Sequence, residues 1–335
     1  MLPKSFKPVS INEKLEETGM KGKNFIFLTD WTKQQLLSLF EAAEMIEPFW
    51  KNSLRLMDGR VLGTIFFQPS TRTRFSTEDA MVRLGGSVLS ESNPLHSSST
   101  AKGESLFDYL RTVFDLHRYN RVAPLRRRGR LPFARRLDRP GDKLRMGQRD
   151  APDAGAARPV HLLQGLRQLR RDARHDRHAG PSRARSGHSF AMGLAQMGAE
   201  IVYVGSSQNK IPELIQGKLD AAGAKYKIYN DLSNDEMMEL MGSCDTCYLP
   251  GCSVPKDNPE ERAAFLDLIR PFYITLEGLQ TVKKKFGKTV GIMHSLPRNE
   301  VEFEKTIDDS EFQLYFQQMA FSVPIRMALI ARWPE

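Results

Sequence analysis

The residues with the clearest chemical potential in this chain are the hydroxyl and guanidinium side chains of Ser70-Thr71-Arg72-Thr73. They follow an apolar run and a Pro-containing turn, and they open a helical pattern that extends to Leu84. Free backbone N–H groups at a helix start attract anions, and the helix dipole adds to that attraction. The three hydroxyl groups can donate hydrogen bonds, and Arg72 offers a fork that matches phosphate oxygens. The segment predicts a phosphate site, although a capped helix with solvated arginines would give the same pattern.

The three cysteines are the other candidates for chemistry. Cys244, Cys247 and Cys252 have zinc-like spacing, but a structural zinc site needs four ligands and no fourth Cys or His lies nearby in sequence. Cys244 and Cys247 also flank a predicted strand start, where Cys commonly packs as a small apolar side chain. Because the chain has neither a Gly-x-Gly-x-x-Gly motif nor a P-loop, we expect no metal and no cofactor.

Alternating strands and helices must position the 70–73 segment. The pattern predicts a helix capped at Thr29-Asp30, a strand at 59–67, a helix at 71–84, a strand at 87–89 and a helix at 102–113. After residue 187 it predicts helices at 188–197, 210–222, 234–241 and 316–332, and strands at 199–205, 225–229, 244–249 and 289–294. Such an alternation indicates α/β domains with parallel sheets.

The bulk composition is that of a globular protein. The chain has 335 residues, of which 40% are hydrophobic and 27% charged, which suffices for two domains with separate cores. It contains no run of 18 apolar residues and no apolar signal segment at its start, so we expect no membrane span and a cytoplasmic location.

One basic segment, residues 117–187, departs from the rest. It contains 19 Arg and one Lys against six Asp, a net charge of +14, so the remaining chain carries −5 of the total +9. It has no Ile, Thr or Glu and no apolar period. A disordered basic linker or a nucleic-acid-binding insert would explain the charge. A single Lys among so many Arg favours GC-rich DNA translated out of frame.

Several motifs in order resemble the aspartate/ornithine carbamoyltransferase family. They are Phe66-Phe-Gln-Pro-Ser-Thr-Arg-Thr-Arg74, Glu78–Val88, Ser97–Leu106, His294-Ser-Leu-Pro-Arg298, Tyr315-Phe-Gln-Gln318 and Arg326-Met-Ala-Leu329. The last three resemble the aspartate branch. The resemblance covers residues 25–116 and 188–332 and implies two doubly wound parallel-sheet domains: a carbamoyl-phosphate-binding domain at 1–165, onto which the helix at 316–332 packs back, and an amino-acid-binding domain at 166–315.

The resemblance also implies roles for individual residues. Ser70, Thr71, Arg72 and Thr73 would hold the phosphate of carbamoyl phosphate, and the backbone carbonyls of Leu296 and Pro297 would face the carbamoyl nitrogen. Ser98 and Lys102 would reach into a neighbouring subunit's site, which implies a homotrimer, alone or with regulatory or other pyrimidine-pathway chains. Lys102 and Arg185 would bind the amino acid, although Ser186-Gly187 replaces the Thr-Val expected after that arginine.

The implied reaction is carbamoyl transfer to an amine, with phosphate as the leaving group. It needs alignment of two substrates and stabilisation of an oxyanion. The family supplies much of that stabilisation from an Arg-His-Pro-like stretch and a His-Pro-Thr-Gln motif, and both are missing from this chain.

The missing motifs can be found in another frame. Back-translation of Ala151–Leu162, read one base later, permits His-Pro-Thr-Gln followed by the start of a helix. The same shift across 138–150 and 118–125 permits the preceding family segments. We therefore hypothesise a frameshift near Leu116 and a compensating one before His188. Charges placed where the core should be would leave the printed chain with little folded, active enzyme.

The acceptor is the least determined feature in sequence. The aspartate branch carries Arg-x-Gln where this chain has Pro250–Lys256, with neither residue; Lys256 or Arg262 would have to bind a carboxylate instead. Ser295 replaces the Cys typical of the ornithine branch. We expect L-aspartate, as in pyrimidine biosynthesis, with another amino acid or amide acceptor as the alternative. A non-catalytic RNA-binding relative that uses the Arg-rich segment is the alternative of another class.

Overall fold

The computed structural model describes residues 10–23, 25, 27–49, 51–52, 54–66, 70–92, 102–105, 108–109, 112–113, 176–177, 185–207, 210–252, 254–255 and 258–332. These residues fall into two compact units. Unit 1 contains those at 10–25, 34–113 and 323–332, and unit 2 contains those at 27–33 and 176–322. The expected domain boundary at 165 and most of the Arg-rich segment lie outside the described residues.

The described elements alternate between strands and helices. In chain order they are α1 (Ile11–Glu17), α2 (Lys33–Ile46), β1 (Val61–Ile65), α3 (Thr71–Arg83), β2 (Ser87–Glu91), β3 (Asp176–Arg177), α4 (Arg185–Met197), β4 (Glu200–Gly205), α5 (Glu213–Ala221), β5 (Lys225–Asn230), α6 (Asn234–Gly242), β6 (Thr246–Leu249), α7 (Pro259–Ile269), α8 (Leu276–Phe286), β7 (Gly291–His294), α9 (Tyr315–Ala320) and α10 (Ser322–Ala331). Every strand pair among them is parallel: β1 with β2, β3 with β4, β4 with β5, and β6 with β7. The predicted α/β class with parallel sheets is confirmed.

In unit 1, the strand pair and α3 form one layered arrangement. The register places Thr64 of β1 opposite Ser90 of β2. Helix α3 buries Ala80 and Met81 and ends before Gly85, whose φ of +84° is a left-handed conformation that favours glycine. The predicted strands on either side of α3 and the helix itself are confirmed here, while residues 67–69 of the predicted turn lie outside the described residues.

In unit 2, two fully buried strands form the centre of the core. All residues of β6 and β7 are buried, as expected for a parallel sheet covered on both faces. Helices α6 and α8 contribute Met237, Met241 and Leu279 to the same apolar cluster. Because β7 ends at His294, the loop that follows it starts from a rigid position in the core.

Four element predictions need correction. Asp30 does not cap α2; it lies in a 3-10 turn (Leu28–Asp30) and its carboxylate accepts from the Phe27 N–H. The helix predicted from residue 102 begins after Ser105, whose hydroxyl accepts from the Asp108 N–H, and Lys102 lies in a turn before it. Helix α5 starts at Glu213, after Pro212, rather than at residue 210.

The predicted C-terminal helix at 316–332 is two helices. Pro324 lacks an N–H and its ring clashes with the carbonyl four residues earlier, which belongs to Ala320, so α9 ends there and α10 restarts at Ser322. From residue 323 onward the chain belongs to unit 1. Three helices, α1, α7 and α8, were not predicted. Within the described residues, no helix is long and apolar enough to span a membrane.

Candidate active site

The start of α3 presents unused hydrogen-bond donors. Ser70 precedes the helix and its side chain makes no capping hydrogen bond, while its carbonyl accepts from the Arg74 N–H at 3.0 Å. The first N–H groups of a helix have no intrahelical partner, so they point outward together with the helix dipole. Thr71 and Arg72 are exposed, and Thr73 is buried. The arrangement can bind an anion.

The two arginines of this segment have different environments. The Arg74 guanidinium donates to Ser90 Oγ at 3.0 Å and lies 3.7 Å from Glu78 Oε1. Within the described part of the chain, no carboxylate pairs with the Arg72 guanidinium. Partial burial lowers the pKa of Arg72 from its ordinary value of 12.5, and arginine stays cationic at neutral pH. Arg74 therefore has a structural partner, whereas Arg72 is the cation that can face a ligand.

Glu78 ties α3 to both strands beside it. Its Oε1 accepts from Thr64 Oγ1 at 2.8 Å and from Ser90 Oγ at 2.6 Å. Thr64 and Ser90 are register partners on β1 and β2. One carboxylate thus fixes the position of the helix over the ends of two neighbouring strands.

A second contact comes from the C-terminal helix. Arg326 on α10 is 2% exposed, and its Nε donates to Thr77 Oγ1 at 3.1 Å; that hydroxyl donates to the Thr73 carbonyl at 2.8 Å. Burial lowers the pKa of Arg326 to about 9. The buried guanidinium adds positive potential near the first turns of α3.

The loop after β7 contains the predicted carbonyl groups. Leu296 has φ of +51°, and the Leu296–Pro297 peptide bond is cis. A left-handed residue with a branched side chain costs about 1–3 kcal/mol unless its surroundings hold it. Its N–H donates to His294 Nδ1 at 2.8 Å, so the imidazole holds the turn.

His294 and Glu302 form a buried pair next to this turn. His294 Nε2 lies 3.2 Å from Glu302 Oε1, and both side chains are at most 9% exposed. Glu302 Oε2 accepts from the Asn299 N–H at 2.6 Å. Asn299 Nδ2 donates in turn to the Cys252 carbonyl at 2.6 Å, and Ser295 Oγ donates to the Pro250 carbonyl. The loop after β7 is therefore bonded to the loop after β6, the predicted acceptor loop.

Arg298 anchors the far side of the same loop. Its guanidinium binds the Asp308 carboxylate through both nitrogens, and Tyr315 also donates to that carboxylate. The hydrogen bond from Arg298 holds the pKa of Asp308 below its ordinary value. Burial, followed by the bond to Asp308, raises the pKa of Tyr315.

The predicted site residues are divided between the two units. Ser70, Thr71, Arg72, Thr73 and Lys102 belong to unit 1, and Leu296, Pro297 and Arg185 belong to unit 2. Lys102 is exposed, and Arg185 begins α4. Ser98 and Lys256 lie outside the described residues. Arg262 is exposed and donates to the Pro255 carbonyl at 3.4 Å.

The cysteines have ordinary structural surroundings. The buried Cys244 thiol donates to the Leu240 carbonyl at 2.8 Å, and Cys247 is buried on β6. Burial raises the pKa of Cys252 to about 12. The described residues contain no group of three side chains that could hold a metal ion.

Two carboxylates that hold the elements around the candidate site, Glu78 on α3 and Glu302 after β7, are not among the site residues predicted from sequence. Each lies among polar residues in sequence, so nothing in its local pattern distinguishes it from a solvated glutamate. Only the tertiary contacts with Thr64, Ser90, His294 and Asn299 reveal their positions.

Two family models match the chain. The model described as aspartate/ornithine carbamoyltransferase, carbamoyl-P binding domain, matches residues 23–134. The model for the Asp/Orn binding domain matches residues 179–333. The first match ends, and the second resumes, inside the Arg-rich segment.

Individual relatives agree with the family models. The chain is 38% identical over 337 residues to a ureidoglycine carbamoyltransferase of Rubrobacter xylanophilus, covering 96% of this chain and 95% of the relative. It is 29% identical to an aspartate carbamoyltransferase catalytic subunit of Methanothrix thermoacetophila, covering 93% and 98%. The catalytic subunit of aspartate transcarbamoylase from M. jannaschii has 28% identity and a TM-score of 0.66, with 92% and 96% covered.

Proposed function

Because this chain belongs to the aspartate/ornithine carbamoyltransferase family, we propose that it transfers a carbamoyl group between phosphate and the nitrogen of an amino-acid-like substrate. The observation that carries this proposal is the start of α3. There the Ser70 hydroxyl is free of capping, and the cationic Arg72 pairs with no described carboxylate.

The donor is carbamoyl phosphate. The N–H groups at the start of α3 and the Ser70, Thr71 and Thr73 hydroxyls bind its phosphate oxygens, and Arg72 supplies a two-pronged cationic contact. The Leu296 and Pro297 carbonyls accept from the carbamoyl NH2. Lys102 and Ser98 come from a neighbouring subunit, so we propose a homotrimer.

Transfer needs no covalent enzyme intermediate. The amine lone pair attacks the carbamoyl carbon, the carbon–oxygen bond to phosphate breaks, and the departing phosphate takes up the amine proton. Catalysis comes from alignment of the two substrates and from charge stabilisation around the phosphate and the oxyanion. The reverse direction, transfer from a ureido nitrogen to phosphate, uses the same groups.

For the second substrate, we favour ureidoglycine over aspartate. Ureidoglycine has one carboxylate, whereas aspartate has two and needs a further cation. The acceptor loop from Pro250 to Lys256 lacks the Arg-x-Gln of the aspartate branch, and the relative at 38% identity is a ureidoglycine carbamoyltransferase. Arg185 at the start of α4 is the residue we assign to the single carboxylate.

Aspartate is the second candidate. The His294–Arg298 and Tyr315–Gln318 motifs resemble the aspartate branch, and several relatives at 27–30% identity are aspartate carbamoyltransferase catalytic subunits. With aspartate the product is N-carbamoyl-L-aspartate, the pyrimidine precursor. Ornithine is disfavoured because Ser295 stands where the ornithine branch carries Cys.

The test compares two full-length proteins: the printed chain, and a frame-restored chain whose 117–187 segment is read one base over. Each is assayed for phosphate release from carbamoyl phosphate with ureidoglycine, aspartate or ornithine as the amine acceptor, and for carbamoyl phosphate formation from phosphate and the N-carbamoyl product of each acceptor. We expect the highest kcat/KM with ureidoglycine. Activity only with aspartate would reject our choice of substrate, and no carbamoyl transfer by either protein would reject the function itself.

A further inference from the structure

The hydrogen bonds around His294 define its protonation state. Nδ1 accepts from the Leu296 N–H at 2.8 Å, so it carries no proton. The neutral imidazole therefore has its proton on Nε2, and this N–H points at Glu302 Oε1, 3.2 Å away. The His294 side chain is fully buried, and the backbone N–H of His294 donates to Gln318 Oε1 at 3.2 Å.

Glu302 accepts from two donors at opposite ends of the loop after β7, and the Cys252 thiol of the loop after β6 hydrogen-bonds to the same carboxylate. One of the two donors is His294 Nε2–H at the end of β7, and the other is the Asn299 N–H at 2.6 Å. A carboxylate can accept from both because both oxygens are acceptors. These two hydrogen bonds connect His294 to Asn299 through Glu302. They therefore span the loop in which Leu296 has its left-handed conformation.

Asn299 extends this connection to the acceptor loop. Its Nδ2 donates to the Cys252 carbonyl at 2.6 Å. Gly251 has φ of +79° and lies against Ser295 and His294, where a Cβ atom would approach Ser295 Oγ to 3.2 Å. Residues 250–252, directly after β6, are therefore held in place by the loop after β7.

From these contacts we infer that Glu302 is a positioning residue that holds the Leu296 turn through His294 and the acceptor loop through Asn299. The inference rests on the proposed carbamoyl transfer and assigns a new determinant of second-substrate binding. The buried Glu302 carboxylate thus connects two parts of the site. It connects the Leu296 carbonyl, which faces the carbamoyl nitrogen, to the loop after β6, which selects the second substrate. Disturbing this carboxylate raises the KM for both substrates, because the Leu296 carbonyl belongs to the carbamoyl phosphate site, whereas cutting only the link from Asn299 to Cys252 raises the KM for the second substrate alone.

Glu302→Gln is the most informative variant because it keeps the shape but offers only one acceptor oxygen. If that oxygen faces His294, the new NH2 group faces the Asn299 N–H. Moving the histidine proton to Nδ1 would only place it against the Leu296 N–H. Each arrangement leaves one donor facing another donor, which is costly for buried groups.

The experiment measures kcat and the KM values for the phosphate-bearing substrate and the second substrate. It uses whichever full-length protein is active, the printed chain or the frame-restored chain. We expect Glu302→Gln to raise both KM values on the order of tenfold and to lower kcat. Asn299→Ala retains the N–H bond to Glu302 but loses the bond to Cys252, so it should raise the KM for the second substrate without lowering kcat, while the KM of the phosphate-bearing substrate changes less than about twofold. Exposed Glu300→Gln is the matched control.

The double variant Glu302→Gln, Asn299→Ala should show no larger effect on the KM for the second substrate than Glu302→Gln alone, since both break one connection. Equal changes in the two KM values of Asn299→Ala, or an unchanged second-substrate KM in that variant, would overturn the inference. If Glu302→Gln does not fold, the Asn299→Ala result decides. Absence of carbamoyl transfer in the Glu300→Gln control and the parent would instead reject the proposed function.

Discussion

The start of α3 in unit 1 and the loop after β6 in unit 2 are proposed to bind the two substrates, but they are fixed in different ways. Helix α3 is bonded by its own side chains to the adjacent strands, through Glu78, Thr64 and Ser90. The loop after β6 is held at Pro250 and Cys252 by another loop.

This difference corresponds to the two parts of the reaction. The phosphate-bearing substrate is common to carbamoyltransferases, so its site can be built from one contiguous motif on a rigid helix. The second substrate varies, and its loop departs from the aspartate pattern between Pro250 and Lys256. A loop whose path is set by side chains elsewhere can change its specificity without disturbing the phosphate site.

The largest expected effect concerns the Arg-rich segment at 117–187, which separates the two proposed sites in sequence. The printed chain should show no measurable turnover, and the frame-restored chain should turn over carbamoyl phosphate. Under the frameshift hypothesis, a segment with a net charge of +14 stands where the family has apolar strands. The nucleotide sequence and a paired assay of the two proteins check this. Equal activity of both proteins would reject the frameshift.

The second prediction concerns the contacts that hold α3 against the strands β1 and β2. Glu78→Gln leaves Thr64, Ser90 and Arg74 with a poorer acceptor, so we expect a loss of about 1–3 kcal/mol in the free energy of unfolding and a higher KM for carbamoyl phosphate. Urea unfolding and steady-state kinetics measure both. Asp79→Asn, which breaks only the surface pair with Arg83, is the control. A Glu78→Gln protein as stable as that control would show that α3 is held by other contacts.

The third prediction concerns the loop after β7. It states how the stability provided by the contact between Arg298 and Asp308 depends on pH. Because Arg298 lowers the pKa of Asp308, the pair stabilises the fold fully above the ordinary carboxyl pKa of 3.8, and this stability is lost as pH falls through the lower folded-state value. Asp308→Asn should therefore cost about 1–3 kcal/mol near pH 7 and progressively less near pH 3. Urea unfolding at several pH values, with exposed Asp309→Asn as control, tests this. A cost that does not change with pH would contradict the assignment.

The smallest expected effect concerns Cys252 in the acceptor loop. Since burial raises its pKa to about 12, the thiol is protonated at pH 8 and should react slowly with iodoacetamide. Cys252→Ser should change kcat/KM by less than about twofold, because the loop is held through the Cys252 carbonyl. Labelling of the folded protein, with the unfolded protein as reference, measures the reactivity. Fast labelling would mean that the loop opens.

Much of the fold follows from patterns that are local in sequence. Patterns in sequence predict two strands and an anion site without any knowledge of contacts. The apolar runs at Val61–Ile65 and Gly291–His294 predict strands that the structure confirms as parallel, and the hydroxyl-rich start of α3 predicts the anion site. The end of α9 can also be predicted from sequence, because Pro324 excludes a continuous helix at 316–332. The capping residues Ser10 and Thr275, which start α1 and α8, were equally present and were overlooked.

The rest depends on partners that are distant in sequence. Glu302 meets His294 and Asn299 only because β7 ends in the core and the chain turns back over it. The same residue type in a polar stretch is normally solvated, so composition and spacing give no reason to select it. The start of the acceptor loop is harder still to predict, since its Pro250 and Cys252 carbonyls are held by Ser295 and Asn299, which lie about 45 residues later in the chain.

The most direct test of the phosphate site is the affinity of the full-length enzyme that turns over for a phosphonoacetyl amino acid, measured by titration calorimetry. Arg72→Ala removes a charge-assisted contact worth about 1.5–3 kcal/mol, so its Kd should rise roughly tenfold to a hundredfold, while Arg83→Ala at the other end of α3 should leave the Kd unchanged. An Arg72→Ala protein that binds the compound as tightly as the parent would contradict the assignment of the phosphate to the start of α3.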